Sequence, residues 1–280
     1  MTLPGVDVSS FQGPPSTWLP IAGHIDWAAV KLTELEADGT RYVNPEAAAD
    51  WRTLGSAKKG RVAYTFGHPS TSAAHTVAFF TGELAKIGFT DRDAVCLDLE
   101  VTDGRSTAEV AAWGREVLAD LHRVLDRTPL VYTFISFAQE GNCAGMGHYP
   151  LWIADPSSPR GHPRVPEPWH TWAAHQYETT GRIDRDVANY RTLAAMTAAL
   201  GKTPKKEAKV IEHTTAGHQS LAGLADQHDC QPSTILRLTA HHSPGGVYPG
   251  NVAAYINGVF RGRISHTDHM PAGLHLYLPQ

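Results

Sequence analysis

Two carboxylates stand two residues apart in the segment Ala94-Val-Cys-Leu-Asp98-Leu-Glu100. Side chains alternate across a β-strand, so we expect Asp98 and Glu100 on one face and the apolar residues on the other, namely Val95, Leu97 and Leu99. Like charges crowded in a cleft raise the pKa of one member. A protonated acid beside an ionised one is what glycoside cleavage requires. Taken alone, the motif is more typical of a polar strand end carrying two solvated acids.

Two other segments place acidic side chains in a similar way. In Gly5-Val-Asp7-Val-Ser9 the valines share one face and Asp7 and Ser9 the other. Ile183-Asp184-Arg185-Asp186 supplies further carboxylates about 180 residues later. Either segment alone could be a strand edge or a surface turn. Three acidic strand ends in one region instead predict a shared acidic pocket.

The elements that must position these acids alternate along the first 200 residues. The predicted strands are Gly5–Ser9, Arg61–Phe66, Ala94–Glu100, Leu130–Ile135, Pro150–Ala154 and Ala173–Tyr177. The predicted helices are Asn44–Leu54, Thr71–Lys86, Thr107–Leu125 and Asn189–Leu200. This alternation is typical of an α/β fold with a largely parallel sheet. The length favours a barrel or distorted barrel, whose active site lies at the C-terminal ends of the strands.

An ordered series of motifs covers roughly residues 5 to 200. It is made of Gly5-Val-Asp-Val-Ser-Ser-Phe-Gln-Gly13, Ile25-Asp-Trp27, Val30-Lys31, Ala63-Tyr-Thr-Phe66, Leu97-Asp-Leu-Glu100, Val131-Tyr-Thr133, Leu151-Trp-Ile-Ala154, Gln176-Tyr177 and Ile183-Asp184. The series resembles the lysozymes of glycoside hydrolase family 25. The resemblance implies a flattened β/α (TIM-like) barrel that hydrolyses the β-1,4 bond from N-acetylmuramic acid to N-acetylglucosamine. Its partner would be the glycan strands of peptidoglycan, and no cofactor is expected.

The resemblance also implies roles for individual residues. Glu100 would be the general acid that protonates the leaving oxygen. Asp98 would be its partner, either as nucleophile or by orienting the 2-acetamido group of the substrate. Asp7 and Asp184 match the remaining carboxylates of the family's pocket. Its sugar-binding wall is matched by Tyr64, Tyr132, Trp152, Gln176 and Tyr177. Each of these aromatic side chains is equally compatible with ordinary core packing.

Two segments depart from the family pattern. Tyr64-Thr65-Phe66 stands where the family often has Tyr-His-Phe, and His68 follows two residues later. Lys31-Leu-Thr-Glu34-Leu stands in place of Lys-Ala-Thr-Glu-Gly. Both departures could alter subsite preference, but neither removes a catalytic carboxylate.

The chain divides near residue 201 into a catalytic domain and a smaller module. Residues 202–209 are charged and contain the helix breaker Pro204, which predicts a linker. Residues 210–280 are expected to form a small α+β module. Its segments His213–Ala225, Pro232–Leu238 and Pro271–Pro279 resemble a LysM domain, a fold that binds wall sugars. The stretch 239–270 is longer than the second half of an ordinary LysM domain. Such a module would tether the barrel near its substrate.

Histidines are frequent in that module, with eight of the sixteen lying after residue 212. Val210-Ile-Glu-His-Thr-Thr superficially resembles the opening of zinc-dependent wall amidases, and His228-Asp-Cys230 could supply ligands. A catalytic zinc needs three ligands on a scaffold with orienting groups behind them. The module is short for an amidase and lacks the paired spacing of a zinc finger. We therefore predict no metal site.

Composition excludes several other classes. A net charge of −4 argues against a general nucleic-acid binder. No run approaches the roughly 20 apolar residues of a membrane helix, and three widely spaced cysteines indicate no disulfide framework. The N-terminus lacks the pattern of a secretory signal. With a wall-lytic barrel, this suggests a phage endolysin made in the host cytoplasm and released through a holin pore. A bacterial autolysin exported by another route would look the same.

Two alternatives compete with a muramidase. A family 18-type chitinase or glucosaminidase also uses a barrel with an Asp-x-Glu strand end. Its longer acidic run requires two further acids before Asp98, and only Asp93 is present. The other alternative is a catalytically inactive protein that keeps the barrel to bind wall glycan. Intact carboxylates argue against such decay, namely Asp7, Asp98, Glu100 and Asp184.

Overall fold

The computed structural model describes residues 2–179, 181–201, 210–214, 220–228, 235, 253–256, 259–263 and 275–279. The chain separates into two compact units, Met1–Thr203 and Pro204–Gln280. The predicted linker at 202–209 lies outside the described residues. Within the described part of the chain, no helix has both the length and the hydrophobicity needed to cross a membrane.

The first unit is a closed barrel of eight strands. Its strands are β1 (Leu3–Val8), β2 (Trp27–Leu35), β4 (Gly60–Phe66), β5 (Ala94–Asp98), β6 (Leu130–Phe134), β7 (Leu151–Ala154), β8 (Ala174–Glu178) and β9 (Asp184–Ala188). They follow chain order around the barrel, and β1 closes it by pairing with both β2 and β9. Within this ring of eight strands, β9 is antiparallel to both of its neighbours and the other pairs are parallel. A short strand, β3 (Arg41–Val43), pairs with the end of β2 outside the ring.

The helices that cover the barrel are unevenly distributed. They are α1 (Pro15–Ala22), α2 (Ala47–Ser56), α3 (Ala73–Leu84), α4 (Thr107–Leu125), α5 (Ile135–Phe137) and α6 (Leu193–Leu200). A five-residue π-turn, Ala138–Asn142, directly continues α5. Among the described residues, no helix joins β7 to β8 or β8 to β9. The predicted α/β fold and distorted β/α barrel are therefore confirmed.

Strand alternation separates the apolar side chains into two cores. One core lies between the strands and the helices and contains the face predicted from sequence, including Val95, Leu97 and Leu99. The other fills the barrel interior and contains Tyr64, Cys96 and Trp152. Asp7 and Asp98 are nearly buried on strands that line this interior. The period-two pattern therefore decides which side chains reach the pocket.

Two barrel strands, β2 and β9, are absent from the predicted set. β9 begins Asp-Arg-Asp, a charged pattern that in the sequence resembles a surface turn. β2 carries Lys31 and Glu34 within an otherwise apolar run. Both strands line a polar pocket, so their charged residues hide the hydrophobic periodicity by which strands are predicted. The predicted strand ending at Glu100 in fact ends at Asp98, and Glu100 stands on the loop that leads to α4.

The second unit is described in part. β10 (Val210–Thr214) pairs antiparallel with β13 (His275–Pro279), and β11 (Ala253–Ile256) forms a hairpin with β12 (Val259–Arg263). Helix α7 (Leu221–Gln227) begins after Ser220, whose hydroxyl accepts a hydrogen bond from the Gly223 amide. The described part of this unit thus contains both strands and a helix. Of the LysM-like segment Pro232–Leu238 only Ile235 is described, as a buried helical residue.

Candidate active site

The predicted acids gather at the C-terminal ends of the parallel strands. Asp98 is the last residue of β5, and Glu100 follows two residues later. Asp7 lies near the end of β1, and Asp184, the first residue of β9, is its partner in the antiparallel ladder. Parallel strands bring their carboxyl ends to one edge, where barrel active sites lie. All four acids interact electrostatically across this edge.

Asp98 and Glu100 form a carboxyl pair in which both pKa values are raised. Burial raises the pKa of Asp98 well above its ordinary value, and the negative charge of Glu100 raises it further. Burial also raises the pKa of Glu100, against the opposing effects of its hydrogen bond to Asp98 and the charge of Lys31. Asp98 Oδ1 is buried without a hydrogen-bond partner among the described residues, which an ionised carboxylate tolerates poorly. Glu100 keeps more exposed surface, so it is the member that a substrate reaches.

A second set of carboxyl groups lies across the barrel from Asp98 and Glu100. It includes Asp186, which is absent from the predicted site. Burial and the charge of Asp184 raise the pKa of Asp7 to about 7. Asp186 is fully buried, and burial followed by the charge of Asp7 raises its pKa well above the ordinary value. Trp152 Nε1 donates to Asp186 Oδ1 at 2.7 Å. The spacing of Asp184 and Asp186 repeats that of Asp98 and Glu100, and this signal could have identified Asp186.

A hydrogen-bonded chain orients Asp7. The Tyr132 hydroxyl donates to Gln176 Oε1 at 2.8 Å, and Gln176 Nε2 donates to Asp7 Oδ2 at 2.7 Å. Gln176 is buried, so its amide has few alternative partners. Three of the predicted site residues, on β6, β8 and β1, are thus joined in one network. Its direction is fixed because the Gln176 amide must donate to the carboxylate.

The predicted aromatic side chains occupy different depths of the barrel. The Trp152 ring contacts Tyr132 at 4.6 Å and Tyr64 at 6.3 Å between centroids, both edge to face. Trp152 and Tyr64 are nearly buried and form the floor of the pocket, whereas Tyr132 is partly exposed. The Tyr177 ring lies instead near His175, at 6.1 Å, and near the guanidinium of Arg160, at 5.5 Å. The structure does not bring Tyr177 to the carboxyl groups.

Four charged side chains adjoin the pocket and are also missing from the predicted site. Lys31 Nζ lies 2.5 Å from Glu34 Oε2, and Glu34 Oε1 lies 2.9 Å from His68 Nε2. His68 Nδ1 lies 3.0 Å from Asp103 Oδ1. The signal for this network is the pair of departures from the family pattern, which introduce His68 and alter the segment around Glu34. Glu36 also approaches His68, and Glu34, Glu36 and His68 are close enough to share a metal ion. Glu34 and His68, however, are already paired with Lys31 and Asp103.

A match to a known protein family covers this whole site. A sequence model described as Glycosyl hydrolases family 25 matches residues 6–186, which include all of the acids above. No curated protein sequence is similar enough to match the chain.

Several solved structures share the fold. The bacterial lysozyme from Streptomyces coelicolor superposes with a TM-score of 0.60 at 25% identity, covering 71% of this chain and 97% of that one. A family GH25 lysozyme from Aspergillus fumigatus gives 0.60 at 21% identity, covering 72% and 100%. The spore cortex lytic enzyme SleM from Clostridium perfringens gives 0.59 at 16% identity, covering 99% and 87%.

Proposed function

The chain belongs to glycosyl hydrolase family 25, and on that premise we propose that it hydrolyses the β-1,4 bond between N-acetylmuramic acid and N-acetylglucosamine in peptidoglycan. It is a glycoside hydrolase of the lysozyme type. The similar structure from Streptomyces coelicolor is named a lysozyme, which supports this substrate.

The observation that carries the proposal is the pair of adjoining carboxyl groups, Asp98 and Glu100, at the C-terminal end of β5. Glycoside cleavage needs one carboxyl group that donates a proton to the leaving oxygen and another that acts while ionised. The pair is suited to both roles, because burial raises the pKa of each carboxyl group and the charge of Glu100 raises that of Asp98 further. Glu100 faces the cleft and is the acid. Asp98 stands behind it as nucleophile or as the group that orients the 2-acetamido substituent.

The opposite side of the cleft contributes orientation. Gln176 and Tyr132 hold the Asp7 carboxylate in one position. Burial and the charge of Asp184 raise its pKa to about 7, so the Asp7 carboxyl group titrates near neutral pH. Tyr132, which is partly exposed above the buried Trp152, offers an aromatic surface to a sugar ring.

A chitinase of the family 18 type is disfavoured by the position of its one matching acid. Asp93 is bound at both oxygens by Arg61, at 2.7 and 2.8 Å, and accepts hydrogen bonds from Thr90. It therefore stabilises the start of β5, at the other end of the strand from Asp98. A structural ion pair accounts for Asp93 without any part in catalysis.

The second unit is proposed to bind wall glycan as a LysM-like module. The motifs found in its sequence support this role, as do the pairing of its first and last strands and the helix after the first strand. Phage origin and release through a holin stay predictions from the sequence. Synthesis in the host cytoplasm before release stays one as well.

The decisive experiment is digestion of purified peptidoglycan by the wild type and by Glu100→Gln. Mass spectrometry of the new reducing ends identifies the bond that is cut. We expect new N-acetylmuramic acid ends from the wild type and a loss of at least a thousandfold in rate for Glu100→Gln, because an amide cannot donate the proton.

Two other results would redirect the assignment. New N-acetylglucosamine ends would identify a glucosaminidase. No new ends on several wall types, with binding to the wall retained, would leave an inactive glycan-binding barrel. Circular dichroism of Glu100→Gln must match the wild type for the comparison to hold.

A further inference from the structure

A continuous chain of ion pairs runs along the edge of the catalytic cleft. Its charges alternate through Asp103, His68, Glu34 and Lys31, and successive atoms are 2.5 to 3.0 Å apart. His68 and its partners are largely shielded from solvent, with His68 only 13% exposed at its side chain. Charge-assisted hydrogen bonds of this length are stronger than neutral ones.

The contacts of His68 favour an imidazolium. Nε2 faces the Glu34 carboxylate, and Nδ1 faces both oxygens of Asp103. A neutral imidazole has one N–H donor and one acceptor nitrogen, so it would direct a lone pair at one of these carboxylates. Both contacts are favourable only when both nitrogens donate. Partial burial lowers the pKa of His68, but the hydrogen bonds that it donates to Glu34 and Asp103 outweigh this effect, so its pKa is raised.

One end of this chain of ion pairs, Asp103, lies on the loop that carries Glu100. Asp103 lies three residues after Glu100 and adopts a left-handed conformation, with φ of 49°. Its carboxylate also accepts hydrogen bonds from the amide and the hydroxyl of Ser70. The residue before His68 is Gly67, whose amide donates to the Asp98 carbonyl at 2.8 Å. His68 therefore joins the end of β4 to the catalytic loop after β5.

The other end of the chain of ion pairs, Lys31, lies near the catalytic pair Asp98 and Glu100. Lys31 contacts Glu34, and its charge lowers the pKa of both Asp98 and Glu100. The charged groups around His68 are Glu34 on β2, Glu36 just beyond β2, and Asp103 on the loop after β5. The Phe66 ring of β4, at 5.2 Å, covers one side of the imidazole. Among the described residues, Lys31 is the other cation of this cluster.

We propose that His68, as an imidazolium, is a positioning residue that ties the Glu100 loop to the end of β2 and holds Lys31 beside the catalytic pair. The role rests on the proposed function. Loss of the proton from His68 turns one bridging contact into a repulsion between a lone pair and a carboxylate. The loop after Glu100 then loosens, and Glu34 is left with Lys31 as its remaining cation. The enzyme should therefore lose activity as His68 deprotonates.

The test is a pH profile of His68→Gln, which keeps one donor but has no titrating charge. We expect kcat/KM to fall roughly fivefold to twentyfold at pH 5–6, mainly in kcat, as for loss of a charge-assisted bridge. The ratio of wild type to variant should shrink as the pH rises above the pKa of His68, because the wild type loses the same interaction. A ratio that does not change with pH would overturn the proposal. His122→Gln, at the far end of α4, is the matched control and should match the wild type throughout.

A second measurement needs no substrate. The His68 Cε1–H resonance, assigned by its absence from His68→Gln, should titrate above 6.5 in the wild type and at lower pH in Asp103→Asn. A midpoint at or below 6.5 in the wild type would refute the imidazolium bridge. Inactivity of the wild type on all peptidoglycans would contradict the proposed function alone, and this titration would still decide the state of His68.

Discussion

At the level of single residues, three buried carboxyl groups lie among the apolar side chains of the barrel interior. Asp7, Asp98 and Asp186 are each at most 8% exposed, and two of them have a buried oxygen without a partner among the described residues. Desolvation favours the neutral form of each, so their pKa values are raised. Such acids reduce stability when they must ionise, which is a common feature of active sites.

Asp186→Asn tests this cost. The folded-state pKa of Asp186 lies above its unfolded value near 3.9. The neutral carboxyl group therefore contributes its full stability below about pH 4, and this contribution is lost as the pH rises through the folded-state pKa. Asparagine keeps the acceptor for Trp152 and cannot ionise. We expect the variant to be more stable than the wild type by roughly 1–3 kcal/mol at pH 8 and equal to it at pH 4.

Urea unfolding at the two pH values measures this difference. Asp120→Asn, which breaks a surface ion pair with Arg123, is the control and should change stability by less than about 0.5 kcal/mol at either pH. Destabilisation by Asp186→Asn at pH 8 would mean that Asp186 is ionised in the folded protein.

At the level of elements, irregular connections replace helices on one side of the barrel. The connection after β7 is held by Asp155, which accepts hydrogen bonds from the Arg164 guanidinium at 2.6 and 3.1 Å. The Asp155 carbonyl faces His175 Nε2, and the Gly161 amide donates to His175 Nδ1. One ring nitrogen therefore accepts, so His175 is neutral, and burial lowers its pKa. The same residue type is charged at position 68 because both of its nitrogens meet carboxylates.

Gly67→Ala tests how closely β4 must approach β5. A Cβ at Gly67 would lie 3.0 Å from the Asp98 carbonyl oxygen and from the Leu97 and Trp113 side chains. Overpacking of this kind costs about 1–3 kcal/mol. Since the contact is with the backbone of Asp98, we also expect kcat to fall by about tenfold or more.

Thermal unfolding and wall-digestion rates measure both effects. Gly82→Ala is the matched control, because a Cβ there meets no atom within 4 Å. It lies in α3 and should raise stability by about 0.5–1 kcal/mol without changing the rate. Equal behaviour of the two variants would show that the contact at Gly67 is not limiting.

At the level of the whole molecule, closure of the barrel assembles the site. Asp7 and Asp184 become ladder partners only because β1 pairs with β9. The barrel unit, Met1–Thr203, contains every acid described above. Catalysis should therefore belong to this unit alone, and the second unit should contribute binding to the wall.

Ending the chain after Thr203 tests this division. We expect unchanged kcat/KM on short soluble glycan fragments and a loss of roughly tenfold or more on intact walls, because tethering raises the effective substrate concentration. Pull-down with insoluble walls should retain Glu100→Gln in the full chain and not in the shortened chain. Equal activity of both lengths on intact walls would contradict a binding role for the second unit.

Local periodicity and ordered motifs by themselves determine much of this protein. The faces of β1 and β5, the helix Thr107–Leu125 and the barrel class follow from residue spacing alone, since the period of two or 3.6 is a property of the backbone. All nine predicted site residues lie on the strands or strand ends that form the pocket, although the ring of Tyr177 lies away from the carboxyl groups. These positions are predictable because parallel strands end at one edge.

Only the tertiary structure decided which side chains meet across that edge. The burial of Asp186, the Tyr132–Gln176–Asp7 chain and the bridge at His68 each join strands that are distant in sequence. Tyr177 adjoins Gln176 in the chain, but side chains alternate along β8, so the Tyr177 ring lies on the other face with His175 and Arg160. Protonation likewise depends on burial and neighbouring charge, which exist only once the barrel has closed.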